Sequence, residues 1–482
     1  MTGASPPCAW PLPSIIAALI ALTLLRLAIA AAVPLAPDEA YYWVWSHALA
    51  PGYPDHPPMI ALWIRLGTSI AGDGPLGIRL LGPISVALAS VLLANATDAL
   101  LPGNRSGVRA AVLLNATLLF GVGAIIMTPD APLLVFWTAC LWAIARLQQS
   151  GDARWWLAIG LFAGLALASK YTAALLWLGI VLWVLITPSL RHWLRHPMPW
   201  LGTIVAVAIF APVVFWNAGH DWTSFGRQGG RLGDWHPGNA VRFMTELIAG
   251  QFGLLTPLAF AFCVGGIVLA ARNAWRSRDP AWTLLAVLTI PGAILFLQHA
   301  LGDRVQGNWP AIIYPAAAIA ATQLRTDVWR RLWSPAIALG FAITLLAYVQ
   351  ALFAVLPLPL RLDPIALILS GWDRLAAQVD AIRQETGAQY IAADQYGVAA
   401  ELAYALKAPV VGLEPRWAMF DLPRAPIAGQ VGVLVQTGGD LDRTLWSSVT
   451  ELAVAKRGIQ TFGIYRVTTS ASPVDARLLV RN

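Results

Sequence analysis

Four short polar segments, each set beside a long apolar run, hold the side chains of this sequence that could do chemistry. The first is Asp38-Glu39-Ala40-Tyr41-Tyr42-Trp43, directly after the first apolar run. Adjacent carboxylates there can take a proton as general base, hold a divalent cation through oxygen, or cap an interfacial helix. The second is Asp55-His56-Pro57-Pro58, where two prolines stiffen the turn. His56 can bind a phosphate when cationic, ligate a metal, or hydrogen-bond locally. The third is Thr128-Pro129-Asp130, in a loop too short to leave the membrane surface, which holds Asp130 level with Asp38. An Asp between prolines is also an ordinary turn former. The fourth is Ser169-Lys170-Tyr171, with the one lysine before residue 362. Lys170 could snorkel to the interface or bind a phosphate. Arg304 and Asn308 follow on the same side.

Taken together, these segments bring carboxylates, cations and aromatic rings to one face of a membrane. Tyr41, Tyr42, Tyr171, Asp55 and Asn308 are side chains that suit a sugar ring. His56, Lys170 and Arg304 suit a lipid-linked phosphate. No Walker motif or dinucleotide fingerprint is present, which argues against a soluble nucleotide donor.

The elements that must hold these residues are apolar. Of 482 residues, 58% are hydrophobic and 12% charged, and the mean hydropathy is +0.64. A soluble domain carries about 25% charged residues, so most of this chain faces hydrocarbon. A span needs about 20 apolar residues. The sequence predicts about eleven spans, over 13–33, 76–97, 108–127, 132–147, 155–168, 172–186, 200–216, 252–271, 282–297, 311–324 and 335–356. The first is too long for a signal-peptide core and is read as a retained helix. A further short interfacial helix is expected over 59–70.

Alternate loops are basic: Arg105 and Arg109; Arg146 and Arg154; Arg191 and Arg195; Arg272, Arg276 and Arg278; Arg325, Arg330 and Arg331. These are expected in the cytoplasm. The polar segments, the 217–250 stretch and the C-terminal region then lie outside, in the periplasm or its equivalent, with the N-terminus inside. The net charge of +7 is this orienting signal rather than a nucleic-acid surface. Cys8, Cys140 and Cys263 show neither metal spacing nor a disulfide framework.

At residue 362 the composition turns soluble. Helices over 372–386 and 396–406 alternate with strands over 389–393, 409–412, 431–436 and 463–467, which predicts a small α/β domain. The expected division is a membrane domain over 1–361 and an extracytoplasmic α/β domain over 362–482.

Asp38-Glu39-Ala40-Tyr41-Tyr42-Trp43, Asp55-His56-Pro57-Pro58, Thr128-Pro129-Asp130 and Ser169-Lys170-Tyr171 resemble the bacterial family-39-like glycosyltransferases of the GT-C superfamily. Relatives in it are the protein O-mannosyltransferases and the lipid A aminoarabinose transferase. The resemblance implies a mainly α polytopic membrane fold and transfer of a sugar from a polyprenyl-phosphate donor, usually with inversion. The acceptor would be lipid A, a glycan, another glycolipid or a protein. It implies that Asp38 is the catalytic base, with Glu39 and Asp130 supporting it or sharing a divalent cation that the sequence does not itself require. Where the aminoarabinose transferase has a phosphate-binding Lys before the paired prolines, this chain has His56. Rival readings are a transporter or flippase of a lipid-linked substrate, and a non-catalytic envelope scaffold.

Overall fold

The computed structural model describes residues 12–102, 106–230, 235–406, 409–438, 443–470 and 476–479. Cys8 and Arg105 lie outside them. The described chain is mainly helical, with one β-sheet near its C-terminal end. Among the described residues, seven helices are long and apolar enough to cross a bilayer: Pro13–Ala32, Pro75–Leu100, Asp130–Ser150, Pro197–Ala218, Pro257–Ser277, Pro280–His299 and Asp327–Phe353. Each overlaps an expected span.

The other four expected spans are helical but short or broken. The 108–127 stretch splits into Ser106–Asn115 and Leu118–Gly123. Thr117 caps the second piece by accepting the amide of Phe120. Trp155–Leu167 has 13 residues, about 20 Å of helix against a hydrocarbon core of about 30 Å. Tyr171–Ile186 bends by 109° into Pro188–Arg195. Trp309–Ala321 begins as a turn of 3₁₀ helix. The span expected over 252–271 is two helices, Ala240–Leu255 and Pro257–Ser277, because Pro257 starts a new helix and Thr256 between them leaves the helical conformation, at φ 68° and ψ 147°. The short helix expected over 59–70 is Met59–Ala71.

Asp130–Ser150 is the centre of the bundle. Of its apolar window 83% is buried, against 17% for Pro13–Ala32 and Pro197–Ala218, which face outward. Small residues let helices meet closely around it. A Cβ on Gly160 would lie 2.0 Å from the carbonyl oxygen of Gly202, so Trp155–Leu167 and Pro197–Ala218 cross backbone to backbone.

The C-terminal sheet contains β1 (Tyr390–Ala393), β2 (Val410–Gly412), β3 (Val431–Gln436), β4 (Trp446–Arg457), β5 (Gln460–Thr469) and β6 (Arg477–Leu478), in the order β4-β5-β3-β1-β2-β6. β1 runs parallel to β2 and β3, and the remaining pairs are antiparallel. Helix Tyr396–Leu406 links β1 to β2. Its apolar face packs on the membrane-side helix Pro37–His47, so that Tyr41, Trp45, Val398, Leu402, Trp417 and Phe420 share one buried cluster. The core of the sheet domain is therefore continuous with the residues that follow the first span.

Candidate active site

Pro37 starts helix Pro37–His47 immediately after the first span, with Ala36 extended before it. Successive helical residues point about 100° apart, so Asp38 and Glu39 face different surroundings. Glu39 is fully buried. Its carboxylate accepts Arg79 Nε at 2.7 Å and Nη2 at 2.6 Å, together with the amides of Ala36 at 2.9 Å and Met127 at 2.8 Å. Arg79 in turn donates to the carbonyls of Ala30, Val33 and Pro34, the unsatisfied end of the first span. Glu39 therefore caps the helix and does not line the cavity; it ties together three chain segments.

Asp38 turns the other way, into a cavity of about 1280 Å³. Tyr42, Asp55, His56, Asp130 and Lys170 line it with Asp38. Tyr171, Arg304 and Asn308 complete the set expected from the sequence. Tyr41 stays behind the wall, 2% exposed, and donates to Asp55 Oδ2 at 2.8 Å. The His56 turn is seated beside the Lys170 segment by a backbone bond from Met59 N to Ala168 O at 3.1 Å.

The cavity acids are partnered unequally. Asp130 accepts Lys170 Nζ on both oxygens, at 2.8 and 2.9 Å, and Asn308 Nδ2 at 2.5 Å. Asp55 accepts Arg227 Nη1 at 2.6 Å and Arg416 Nη1 at 3.1 Å. Asp303 lies 3.7 Å from His299 Nε2. Asp38 accepts the hydroxyl of Tyr396 at 3.0 Å and, among the described residues, makes no ion pair. Confinement by the cavity walls pushes the Asp38 carboxyl above the usual carboxylate range. The Tyr396 hydrogen bond opposes this, and the charges of Asp55 and Glu39 add to it. Asp55 also feels burial, but Arg227, Arg416 and Tyr41 outweigh it and hold its carboxyl below that range.

Arg304 forms a two-pronged pair with Glu246, at 2.6 and 3.0 Å. The hydroxyl of Tyr171 meets Ser224 Oγ at 2.6 Å. One side of the cavity is apolar, with Leu175, Leu178, Phe210 and Leu295, and Leu178 is exposed on the outer surface of the bundle.

The trio Asp38, Glu39 and Asp130 does not fit a shared divalent ion. Arg79 and Lys170 already hold two of its members, and no group of three His, Cys, Asp or Glu side chains suited to a metal occurs among the described residues. Sequence reasoning missed Arg79, Arg227, Tyr396 and Arg416. A lone arginine just inside an apolar run was the one local signal, at Arg79. Arg227 and Arg416 come from distant segments with no pattern of their own, and Tyr396 was read only as the start of a helix over 396–406.

Residues 55–216 match the family model described as dolichyl-phosphate-mannose-protein mannosyltransferase. A curated relative, the lipid A galacturonosyltransferase RgtD of Rhizobium johnstonii, is 27% identical over 380 residues, 77% of each chain. The crystal structure of ArnT from Cupriavidus metallidurans bound to undecaprenyl phosphate superposes with a TM-score of 0.64, over 94% of this chain and 98% of that one, at 15% identity. Its apo structure gives 0.63 over the same shares. These likenesses favour an enzyme over the transporter and scaffold readings. By these likenesses the chain is similar to the membrane glycosyltransferases of the GT-C superfamily.

Proposed function

We propose that this protein moves a sugar from a polyprenyl-phosphate donor to a hydroxyl of a lipid A-type glycolipid, at the outer face of the plasma membrane. The observation that carries this is the unequal partnering of the cavity acids. Asp55 and Asp130 each face a cationic side chain and Asp303 lies beside the His299 ring, whereas Asp38 keeps a carboxylate oxygen for a proton. In the transfer, Asp38 takes the acceptor's hydroxyl proton as that oxygen attacks the anomeric carbon. The bond from that carbon to the lipid phosphate oxygen breaks, the phosphate leaves with the electron pair, and the configuration inverts. A phosphate is already a good leaving group, so no strong acid is needed. Lys170, Arg227, Arg304 and His56 line the same cavity and would stabilise the departing charge. Every step runs through side chains of this chain.

The apolar side of the cavity suits a prenyl chain, with Leu178 open toward hydrocarbon. RgtD is named for lipid A and ArnT was solved with undecaprenyl phosphate, and both support these substrates for this chain. The outer-face assignment draws on the basic loops. Helix Asp130–Ser150 begins at the cavity, with Arg146 and Arg154 at its far end. The cavity, and with it a soluble domain over 362–482, then lies extracytoplasmically. Eleven crossings fit this sidedness if the four short or broken helical stretches each traverse the bilayer.

Mass spectrometry of envelope glycolipids tests the proposal, in host cells with the gene, without it, and with Asp38→Asn. Loss of one sugar mass from lipid A on deletion is expected, restored by the wild type and not by Asp38→Asn. Removing a general base costs on the order of 10²–10⁴ in rate. Unchanged lipid A on deletion would overturn the acceptor, and full activity of Asp38→Asn would overturn the base.

A further inference from the structure

The C-terminal domain reaches further into the cavity than a cap would need to. Two of its side chains, Tyr396 and Arg416, line the cavity, and each touches an acid of the membrane-side wall. We infer that this domain is a working wall of the active site, with Tyr396 as the positioning residue that holds Asp38 for proton transfer. The inference rests on Asp38 as base and goes beyond it, because it assigns a catalytic duty to a region with no reacting group of its own.

Three features fix the contact. Tyr396 is the first residue of helix Tyr396–Leu406, and its amide donates to Glu414 Oε1 at 2.6 Å, which pins the helix start. The next residue is Gly397, where an added Cβ would meet Pro37 Cβ at 3.1 Å. The two helix starts, one carrying Tyr396 and the other Asp38, therefore abut with room for little more than a hydrogen. The Tyr396 ring is held on both sides: Tyr41 has its centroid 4.6 Å away, and the Arg416 guanidinium lies 4.1 Å over the ring. Arg416 is itself held by Glu414 and Asp55.

A ring clamped in this way can aim its hydroxyl at one carboxylate oxygen. The hydroxyl donates to Asp38 Oδ1 and leaves Oδ2 for an acceptor proton. A neutral donor orients the carboxylate without neutralising it, which a guanidinium in the same place would do. The titratable and charged groups that act on Asp38 are Glu39, turned away from it, and Tyr42 on its own helix, Asp55 on the following loop, and Tyr396 and Arg416 from the C-terminal domain.

Tyr396→Phe in the full-length protein tests this, because it keeps the ring and removes only the hydroxyl. The assay uses donor lipid extracted from host membranes and lipid A from cells lacking the protein. A hydrogen bond to a charged group contributes about 1.5–3 kcal/mol, so kcat is expected to fall roughly tenfold to a hundredfold with the melting temperature kept. The acid limb of the kcat profile moves to higher pH, since the bond that favours the ionised carboxylate is gone. Tyr404→Phe is the control. Tyr404 sits on the same helix with its ring against Trp43, 5.2 Å away and outside the cavity lining, and its loss leaves the profile in place. Wild-type kcat and pH profile in Tyr396→Phe, with Asp38→Asn inactive, would overturn the positioning role alone. Full activity in Asp38→Asn would instead overturn the base on which it rests.

Discussion

Two ion pairs in this protein each join residues forty positions apart, and they do opposite work. Glu39–Arg79 is sealed, with both side chains at 0% exposure. Every oxygen of Glu39 and every nitrogen of Arg79 is spent on this pair or on nearby backbone groups. Lys170–Asp130 opens to the cavity, at 7% and 11% side-chain exposure, and both partners line it. The sealed pair joins the first span, helix Pro37–His47 and Met127 into one frame. The open pair keeps a cation where a lipid phosphate would arrive. Adjacent carboxylates in a sequence thus have separate surroundings: Glu39 fixes the frame and Asp38, one residue away, faces the cavity.

Glu39→Ala is the sharpest break, because it leaves Arg79 charged, buried and unpaired. Removing one partner of a buried pair costs roughly 3–5 kcal/mol, and here the amides of Ala36 and Met127 lose their acceptor as well. The melting temperature in detergent should fall sharply, while the folded fraction keeps turnover, with the acid limb of its pH profile moved slightly to lower pH because the Glu39 charge no longer opposes ionisation of Asp38. A variant with normal melting but abolished turnover would mean that Glu39 acts in the reaction.

Lys170→Met should give the reverse balance. Asp130 keeps its bond from Asn308 and gains cavity water, so the stability loss is smaller, on the order of 1–3 kcal/mol. Turnover should fall by roughly 10²-fold or more, as when a donor to a developing oxyanion is removed. The double variant Lys170→Met/Asp130→Asn takes away both charges and should regain melting temperature without regaining activity. Recovery of activity in the double variant would reduce Lys170 to a structural counter-ion.

The sequence made one side of this comparison legible and hid the other. Asp38, Asp55, His56, Asp130 and Lys170 stand in short polar loops between apolar runs, where charge is costly enough to be informative. Their convergence follows from all of them lying at the same level of the bundle. Arg79 sits inside an apolar run and acts through backbone carbonyls, which no spacing rule reveals. Arg227 and Arg416 reach Asp55 from 172 and 361 residues away. The sheet was read from its apolar strands β1, β2 and β3 and from the centre of β5. The long edge strand β4 was missed because one side of it is solvated, so that Ser447, Ser448, Glu451 and Lys456 dilute its apolar signal. The broken helices were read as whole spans because hydropathy does not register Thr117 or the Thr256-Pro257 break.

Glu401 gives the finest test of how the sealed frame meets the C-terminal domain. It lies on helix Tyr396–Leu406, 3% exposed, and its Oε1 has no hydrogen-bond partner among the described residues. Burial drives its carboxyl well above the usual range; Glu39 and Asp373 push the same way, while Arg457 and Arg79 pull back. A carboxyl whose value is higher folded than unfolded takes up a proton on folding. Its contribution is therefore fully present below the unfolded value of about 4.3 and is lost as pH rises through the folded value. Glu401→Gln keeps the shape of the neutral acid and cannot ionise. Its melting temperature should match the wild type in acid and exceed it by a margin that widens as pH rises. A difference that stays constant with pH would show that Glu401 is ionised in the fold, with Arg457 or Arg79 holding its charge.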